Sequence, residues 1–132
     1  MTIHKIAIIG TGIMGMGIAQ IAAQAGVEVL LYDVKIGAAH NARHTLKQTL
    51  EKLTAKGKLT DAQLQSTLDN LIVTDELQQI AKTDAVIEAI IENLQAKQQL
   101  FAQLEAIVPA STILATNTSS LSVTAIAAEC QH

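Results

Sequence analysis

The chain has 132 residues and a formal net charge of −3 with its basic residues scattered, so it is sized for one domain and offers no broad cationic face to nucleic acid. Its single cysteine, Cys130, excludes an internal disulfide framework and fits a reducing, cytoplasmic setting. Although 49% of the residues are apolar, no uninterrupted apolar run of about 18 residues is present to cross a bilayer, and no membrane partner is expected.

Residues 3–9, IHKIAII, form a short β-branched run that stops at Gly10, the pattern of a buried parallel strand. Met14, Ile18, Ile21, Ala22 and Ala25 then recur at helical spacing, and Gly26 stands where a helix takes a left-handed C-terminal residue. Residues 27–33, VEVLLYD, return as a second strand. Strand, tight turn, helix and strand together fill about 30 residues, the size of one right-handed crossover unit. Lys5 ahead of an apolar stretch and the triplet Ala23, Gln24, Ala25 also mimic a cleaved signal peptide. A signal segment has no use for four glycines at these spacings, and its removal deletes the first strand and turn, so a mature start at Met1 is expected.

Ile36, Ala39, Ala42, Leu46, Leu50 and Leu53 mark one face of a long helix expected to end near Gly57. Thr60 and Gln63 have the spacing of a capping box and open a shorter helix. LIVT, residues 71–74, reads as a third strand, and DAVIEAII, residues 84–91, contains a fourth. Positions 94, 97 or 98, 101, 104 and 108 are read as one face of a further helix, which Pro109 stops. STILAT, residues 111–116, is a fifth strand, and LSVTAIAAE begins a closing helix. This alternation predicts an α/β domain of Rossmann type over residues 1–132: a doubly wound, mostly parallel sheet with helices on both faces.

Five of the seven glycines lie between Gly10 and Gly26. Glycine is entropically costly and adds no packing surface, so such a cluster implies a sharp turn or a close approach. Gly10, Gly12 and Gly15 complete G-x-G-x-x-G between an expected strand and an expected helix, the context of a dinucleotide fingerprint. The first glycine permits the turn, the second admits a pyrophosphate to the backbone, and the third lets helix and strand pack closely. Free N–H groups at Ile13 and Met14, with the positive end of the helix dipole, favour the phosphate's charge. Asp33 closes the second strand 18 residues after Gly15, where a carboxylate accepts the adenosine ribose hydroxyls and repels a 2′-phosphate, predicting NAD over NADP. The competing explanation is a glycine-rich α/β turn that binds no nucleotide.

Two later stretches narrow the function: EAIIENLQAKQQLF, residues 88–101, and ATNTSSLSVTAIA, residues 115–127. With IIGTGIMGMGIAQIAAQAG, they resemble the N-terminal domain of the NAD-dependent 3-hydroxyacyl-CoA dehydrogenases, including the 3-hydroxybutyryl-CoA dehydrogenases, over essentially the whole chain. The resemblance implies that Ala89, Glu92 and Lys97 line the nicotinamide side of NAD. It also implies that Ser119 hydrogen-bonds the substrate's C3 oxygen, that Asn117 supports the same turn and cofactor, and that Lys56 meets the CoA moiety. It further implies oxidation of a 3-hydroxyacyl-CoA to the 3-ketoacyl-CoA by a homodimeric enzyme, with fatty-acid β-oxidation, butyrate and aromatic degradation all open as its pathway. The family's catalytic histidine, in a GxHFFNP-like segment, and the glutamate that orients it are expected beyond His132, as is the helical domain that forms the acyl pocket. His132 itself, in ECQH, does not match that segment. The chain is therefore expected to bind NAD, to be truncated before the last strand and helical domain, and to be inactive alone.

Other features take plainer readings. His40 and His44 have the i, i+4 spacing of metal ligands, but NAR between them lacks the glutamate of H-E-x-x-H and no third ligand is evident, so a solvated helix face is expected. Glu88 and Glu92 read as a strand-end carboxylate and a residue directed at the cofactor rather than as an acid and base pair. Ser119 and Ser120 also suit the cap of the closing helix. Lys47, Lys52, Lys56 and Lys58 suit helix-surface solubility, and Met14 and Met16 suit packing beside the turn. Two rival functions remain. The 3-hydroxyisobutyrate and 6-phosphogluconate dehydrogenase group resembles the chain at the GIMG turn alone, and a stand-alone NAD-sensing module has no need for Glu92, Lys97 and Ser119.

Overall fold

The computed structural model describes residues 3–89, 94–107 and 113–116. Its strands are β1 (Lys5–Ile9), β2 (Glu28–Tyr32), β3 (Leu71–Val73), β4 (Ala85–Glu88) and β5 (Ile113–Thr116). Its helices are α1 (Ile13–Gln24), α2 (Ala38–Ala55), α3 (Asp61–Asp69) and α4 (Leu94–Ile107), with a 3₁₀ helix at Leu77–Lys82. The five strands form one parallel sheet in the order β3-β2-β1-β4-β5. The chain moves outward from β1 to β3 on one side and crosses to β4 and β5 on the other, so the strand order reverses between β1 and β4. Ligands of open α/β sheets bind at the carboxyl ends of the strands at that reversal.

Alternation along the strands builds a core on each face. Ile6 and Ile8 of β1, with Val29 and Leu31 of β2, face one layer, where Ala19 and Ala23 of α1, Ala39, Leu46 and Leu50 of α2 and Leu68 of α3 close over them. Ala7 and Ile9, with Leu30 and Val86, face the opposite layer, closed by Ile80 of the 3₁₀ helix and by Leu100 and Leu104 of α4. A sheet buried on both faces explains why β1 and β2 are continuous apolar runs.

Two helix faces differ from the sequence pattern. The buried residues of α1 are Gly15, Ala19 and Ala23, while Met14 is 59% and Ile21 71% exposed. Small residues win that face because α1 lies too close to the sheet for longer side chains. The packing role expected of Met14 is therefore incorrect, whereas Met16 does pack against the core. In α4 the described buried residues are Leu100 and Leu104, with Ile107 partly buried, so Leu100 belongs to a face that the sequence reading gave to its neighbours. Ile36 of the expected α2 stripe is 99% exposed, one residue ahead of Gly37, the N-cap. The expected closing helix and the position of Pro109 lie outside the described residues.

Local signals set the helix ends. The Thr60 side chain accepts from the Gln63 N–H at 3.1 Å and the Gln63 side chain accepts from the Thr60 N–H at 2.9 Å, a complete capping box. Gly26 has φ of +90°, and Val27 N–H donates to the Ala22 carbonyl while Gly26 N–H donates to the Ala23 carbonyl, the bonds of a left-handed C-terminal turn. Arg43 joins three elements from α2: its Nε donates to the Leu71 carbonyl at 2.7 Å and its Nη2 to the Leu68 carbonyl at 2.9 Å. Asn70 Nδ2 donates to the Ala23 carbonyl at 3.1 Å, tying the end of α3 to the end of α1.

Candidate functional site

The carboxyl ends of β1, β2 and β4 bring Gly10, Gly12, Asp33 and Ala89 to one edge of the sheet. Gly10 follows β1 with φ of +100°, and its N–H donates to the Tyr32 carbonyl at 2.9 Å, so the turn begins only after the ladder with β2 is complete. Gly12 is the N-cap of α1, in extended backbone with no side-chain cap. The first helical bond runs from Met16 N–H to the Gly12 carbonyl at 2.9 Å, so the N–H groups of Ile13, Met14 and Gly15 precede the helical ladder. Ile13 is 95% exposed. These donors, at the positive end of a 12-residue helix, suit an anion.

The two inner glycines have different surroundings. A Cβ on Gly12 meets nothing within 4 Å. A Cβ on Gly15 collides with the Gly10 carbonyl oxygen and stands 3.3 Å from Ile8 Cγ2. Gly12 thus leaves open space above the backbone, and Gly15 lets α1 lie against β1. That division fits a group approaching Gly12 from outside.

Asp33 follows β2 directly. Its Oδ2 accepts from the Thr11 N–H and the Thr11 hydroxyl, both at 2.8 Å, and its Oδ1 accepts from the Lys35 N–H at 2.9 Å. Partial burial pushes the carboxyl upward, but the bonds from Lys35 and Thr11 and the Lys35 charge outweigh it and hold Asp33 below its ordinary value. The group is an anion at neutral pH. Thr11, buried between Gly10 and Gly12, was not singled out from sequence. The offset of 23 that pairs Ile9 with Tyr32 carries on to Gly10 and Asp33 and leaves Thr11 beside the carboxylate. That register is a property of the sheet, and the local sequence does not announce it.

A cavity of about 520 Å³ opens beside the glycine turn between α1 and α2, lined by Thr11, Gly12, Ile13, Gly17, Thr45 and Thr49 among others. Sequence reasoning missed it because its walls come from two helices far apart in the chain. Lys56 is the C-cap of α2 and is exposed. Ala89 follows β4, and its N–H donates to the Ile9 carbonyl at 2.8 Å, placing it at the β1/β4 reversal. Glu88, just before it, is fully buried. Lys97 lies within α4, while Glu92, Asn117, Ser119 and His132 lie outside the described residues.

His40 Nε2 lies 3.9 Å from Asp75 Oδ2 across an exposed pair, and His44 Nε2 lies 3.3 Å from Gln48 Nε2. Among the described residues no three His, Cys, Asp or Glu side chains gather as metal ligands, and no helix is long and apolar enough to cross a membrane.

Residues 5–132 match the family described as 3-hydroxyacyl-CoA dehydrogenase, NAD binding domain. The chain belongs to that family. It is 44% identical over 130 residues to 3-hydroxyadipyl-CoA dehydrogenase of Escherichia coli strain K12, covering 98% of this chain and 27% of that protein. It is likewise 44% identical over 128 residues to a probable 3-hydroxybutyryl-CoA dehydrogenase of Bacillus subtilis strain 168, covering 97% of this chain and 45% of that protein. The crystal structure of an Escherichia coli K12 3-hydroxybutyryl-CoA dehydrogenase superposes with a TM-score of 0.95 at 44% identity, over 99% of this chain and 28% of its own. This NAD-binding domain of the 3-hydroxyacyl-CoA dehydrogenases therefore spans less than half the length of these relatives. Its cofactor is NAD, and the open turn at Gly12 and the anionic Asp33 are chemically suited to it.

Proposed function

We propose that the whole protein oxidises 3-hydroxyacyl-CoA to 3-ketoacyl-CoA in fatty-acid β-oxidation in the cytoplasm, as a homodimer, and that this chain supplies its cofactor half. Bound NAD supplies the hydride acceptor for the hydrogen on C3 of the substrate. The reading is carried by the match of residues 5–132 to the NAD-binding domain of the 3-hydroxyacyl-CoA dehydrogenases, and the cavity against the glycine turn, next to where a cofactor's phosphates suit the α1 N-terminus, supports its cofactor half.

In this reading Gly10, Gly12 and Gly15, with the Ile13 and Met14 N–H groups, hold the pyrophosphate, and Asp33 accepts the adenosine ribose. Ala89, Glu92, Lys97 and Asn117 border the nicotinamide side, and Ser119 donates to the substrate's C3 oxygen. The CoA moiety runs along the α1/α2 groove past Thr45 and Thr49 toward Lys56. Lys56 is two helical turns beyond Thr49, about 10 Å along the axis, a short reach for a pantetheine-linked nucleotide. We assign the proton-accepting histidine and its orienting glutamate to sequence following His132, which makes the present chain a binder without turnover.

The test is a calorimetric titration of the chain with NADH and then NADPH, followed by acetoacetyl-CoA while NADH absorbance is monitored. Selective NADH binding with no loss of absorbance is the expected result. Consumption of NADH by this chain would place the base within these residues and overturn the assignment of proton transfer to a later segment.

A further inference from the structure

Asp33 is more fully engaged than a free ribose acceptor needs to be. An ionised carboxylate offers about four acceptor positions. Thr11 fills both on Oδ2, with its N–H and its hydroxyl at 2.8 Å each, and the Lys35 N–H fills one on Oδ1 at 2.9 Å. Among the described residues, one acceptor position remains, on Oδ1. These bonds come from the ends of two strands, since Thr11 follows β1 and Lys35 follows β2, and together they fix the plane of the carboxylate.

We propose that Thr11 is a positioning residue for the cofactor, whose hydroxyl turns Asp33 so that a single Oδ1 acceptor faces the adenosine ribose and the anion stands where a 2′-phosphate would have to lie. Threonine suits the task better than a smaller residue. Its β-branch restricts χ1, and its burial at 8% exposure holds the hydroxyl on Oδ2 instead of releasing it to water. Among the described residues, the polar contacts made to Asp33 all come from donors, which keeps the group ionised at neutral pH and its charge available against a phosphate. Without the hydroxyl, Oδ2 retains only the Thr11 N–H, the carboxylate can rotate about its last torsion, and a second acceptor opens away from the ribose.

The inference rests on Asp33 being the ribose acceptor, and the experiment separates the two. NADH and NADPH are titrated against the unmodified chain and the variants Thr11→Val, Thr11→Ser and Asp33→Asn, with a thermal melt of each to establish folding. Thr11→Val keeps the shape and the backbone N–H and removes only the hydroxyl. We expect its NADH affinity to fall about tenfold, the scale of one hydrogen bond to a charged group, and its preference for NADH over NADPH to shrink with it. Thr11→Ser restores both to within about threefold, because the hydroxyl returns without the β-branch. If Thr11→Val does not fold, Thr11→Ala takes its place against the same serine rescue. Unchanged affinity and preference in the hydroxyl-less variant, with both lost in Asp33→Asn, overturn the positioning role alone. A fall in affinity that serine does not rescue and that leaves the NADH preference intact also overturns it, since that is what a purely structural role produces. Unchanged binding by Asp33→Asn removes the ribose assignment and the inference with it.

Discussion

The β-position of Gly15 is occupied by the carbonyl oxygen of Gly10: a methyl group there collides with that oxygen and comes within 3.1 Å of the Gly10 carbonyl carbon. Both obstacles are backbone, which cannot swing aside as a side chain can. Gly15→Ala must therefore lift α1 from β1, and overpacking of this kind costs about 1–3 kcal/mol. Gly12, three residues earlier, has nothing within 4 Å of its β-position, and its φ of −74° is ordinary for alanine. We expect Gly15→Ala to lower the unfolding midpoint and Gly12→Ala to leave it in place while weakening NADH binding. Full NADH affinity in the Gly12 variant, measured by calorimetry, would dismiss a pyrophosphate passing over that residue.

Acid should remove part of the stability through Asp33. Burial raises its pKa, but the hydrogen bonds from Lys35 and Thr11 prevail, so the folded value lies below that of an ordinary aspartate. A depressed carboxyl contributes stability that is present above its unfolded pKa and lost as pH falls through the folded one. Asp84 has the same sign, because the His4 N–H at 2.9 Å and then the Lys5 N–H at 3.1 Å donate to its Oδ2. Urea unfolding across a pH series should show Asp33→Asn less stable than the parent by a constant amount above about pH 5, with the gap closing below the ordinary carboxylate range. A gap that widens as pH falls would reverse the sign assigned here.

What was legible in the sequence is what neighbouring residues decide between themselves. The Thr60 and Gln63 capping box, the left-handed turn at Gly26 and the helix end near Gly57 all depend on a few adjacent positions, and all formed. The parallel α/β plan followed from alternation, and the fingerprint from the spacing of Gly10, Gly12 and Gly15. What was not legible depends on how closely elements approach. The pattern of large residues in α1 points at Met14 and Ile21, yet the residues buried against the sheet are Gly15, Ala19 and Ala23. The 3₁₀ helix at Leu77–Lys82 is too short to show a period. Thr11 became visible only once the β1/β2 register had put it beside Asp33.

Arg43 illustrates a role that its charge conceals. It is half-buried in α2, and its guanidinium reaches the last turn of α3 and the start of β3 at once. Lysine has a single nitrogen and cannot reproduce that fork. Arg43→Lys should leave one carbonyl without its donor, at a cost of about 1–3 kcal/mol, and Arg43→Met should cost as much or more. Hydrogen exchange localises the effect: amides of β3 and the end of α3 should exchange faster, while β1 and β4 keep their protection. Uniform acceleration over the sheet would show that Arg43 acts on global stability instead.

Gly17 separates fold from function most directly. It lies within α1, its β-position meets nothing within 4 Å, and it lines the α1/α2 cavity. Neither a turn nor a close contact in the protein accounts for it. An exposed helical glycine costs about 0.5–1 kcal/mol relative to alanine, so Gly17→Ala should raise the unfolding midpoint by a few degrees. If the CoA moiety lies in that groove, the added methyl narrows it, and titration with free coenzyme A should show weaker binding in the more stable variant. Greater stability with undiminished coenzyme A affinity would move the CoA path off this face, because a methyl placed in the groove could not then leave the ligand's contacts intact.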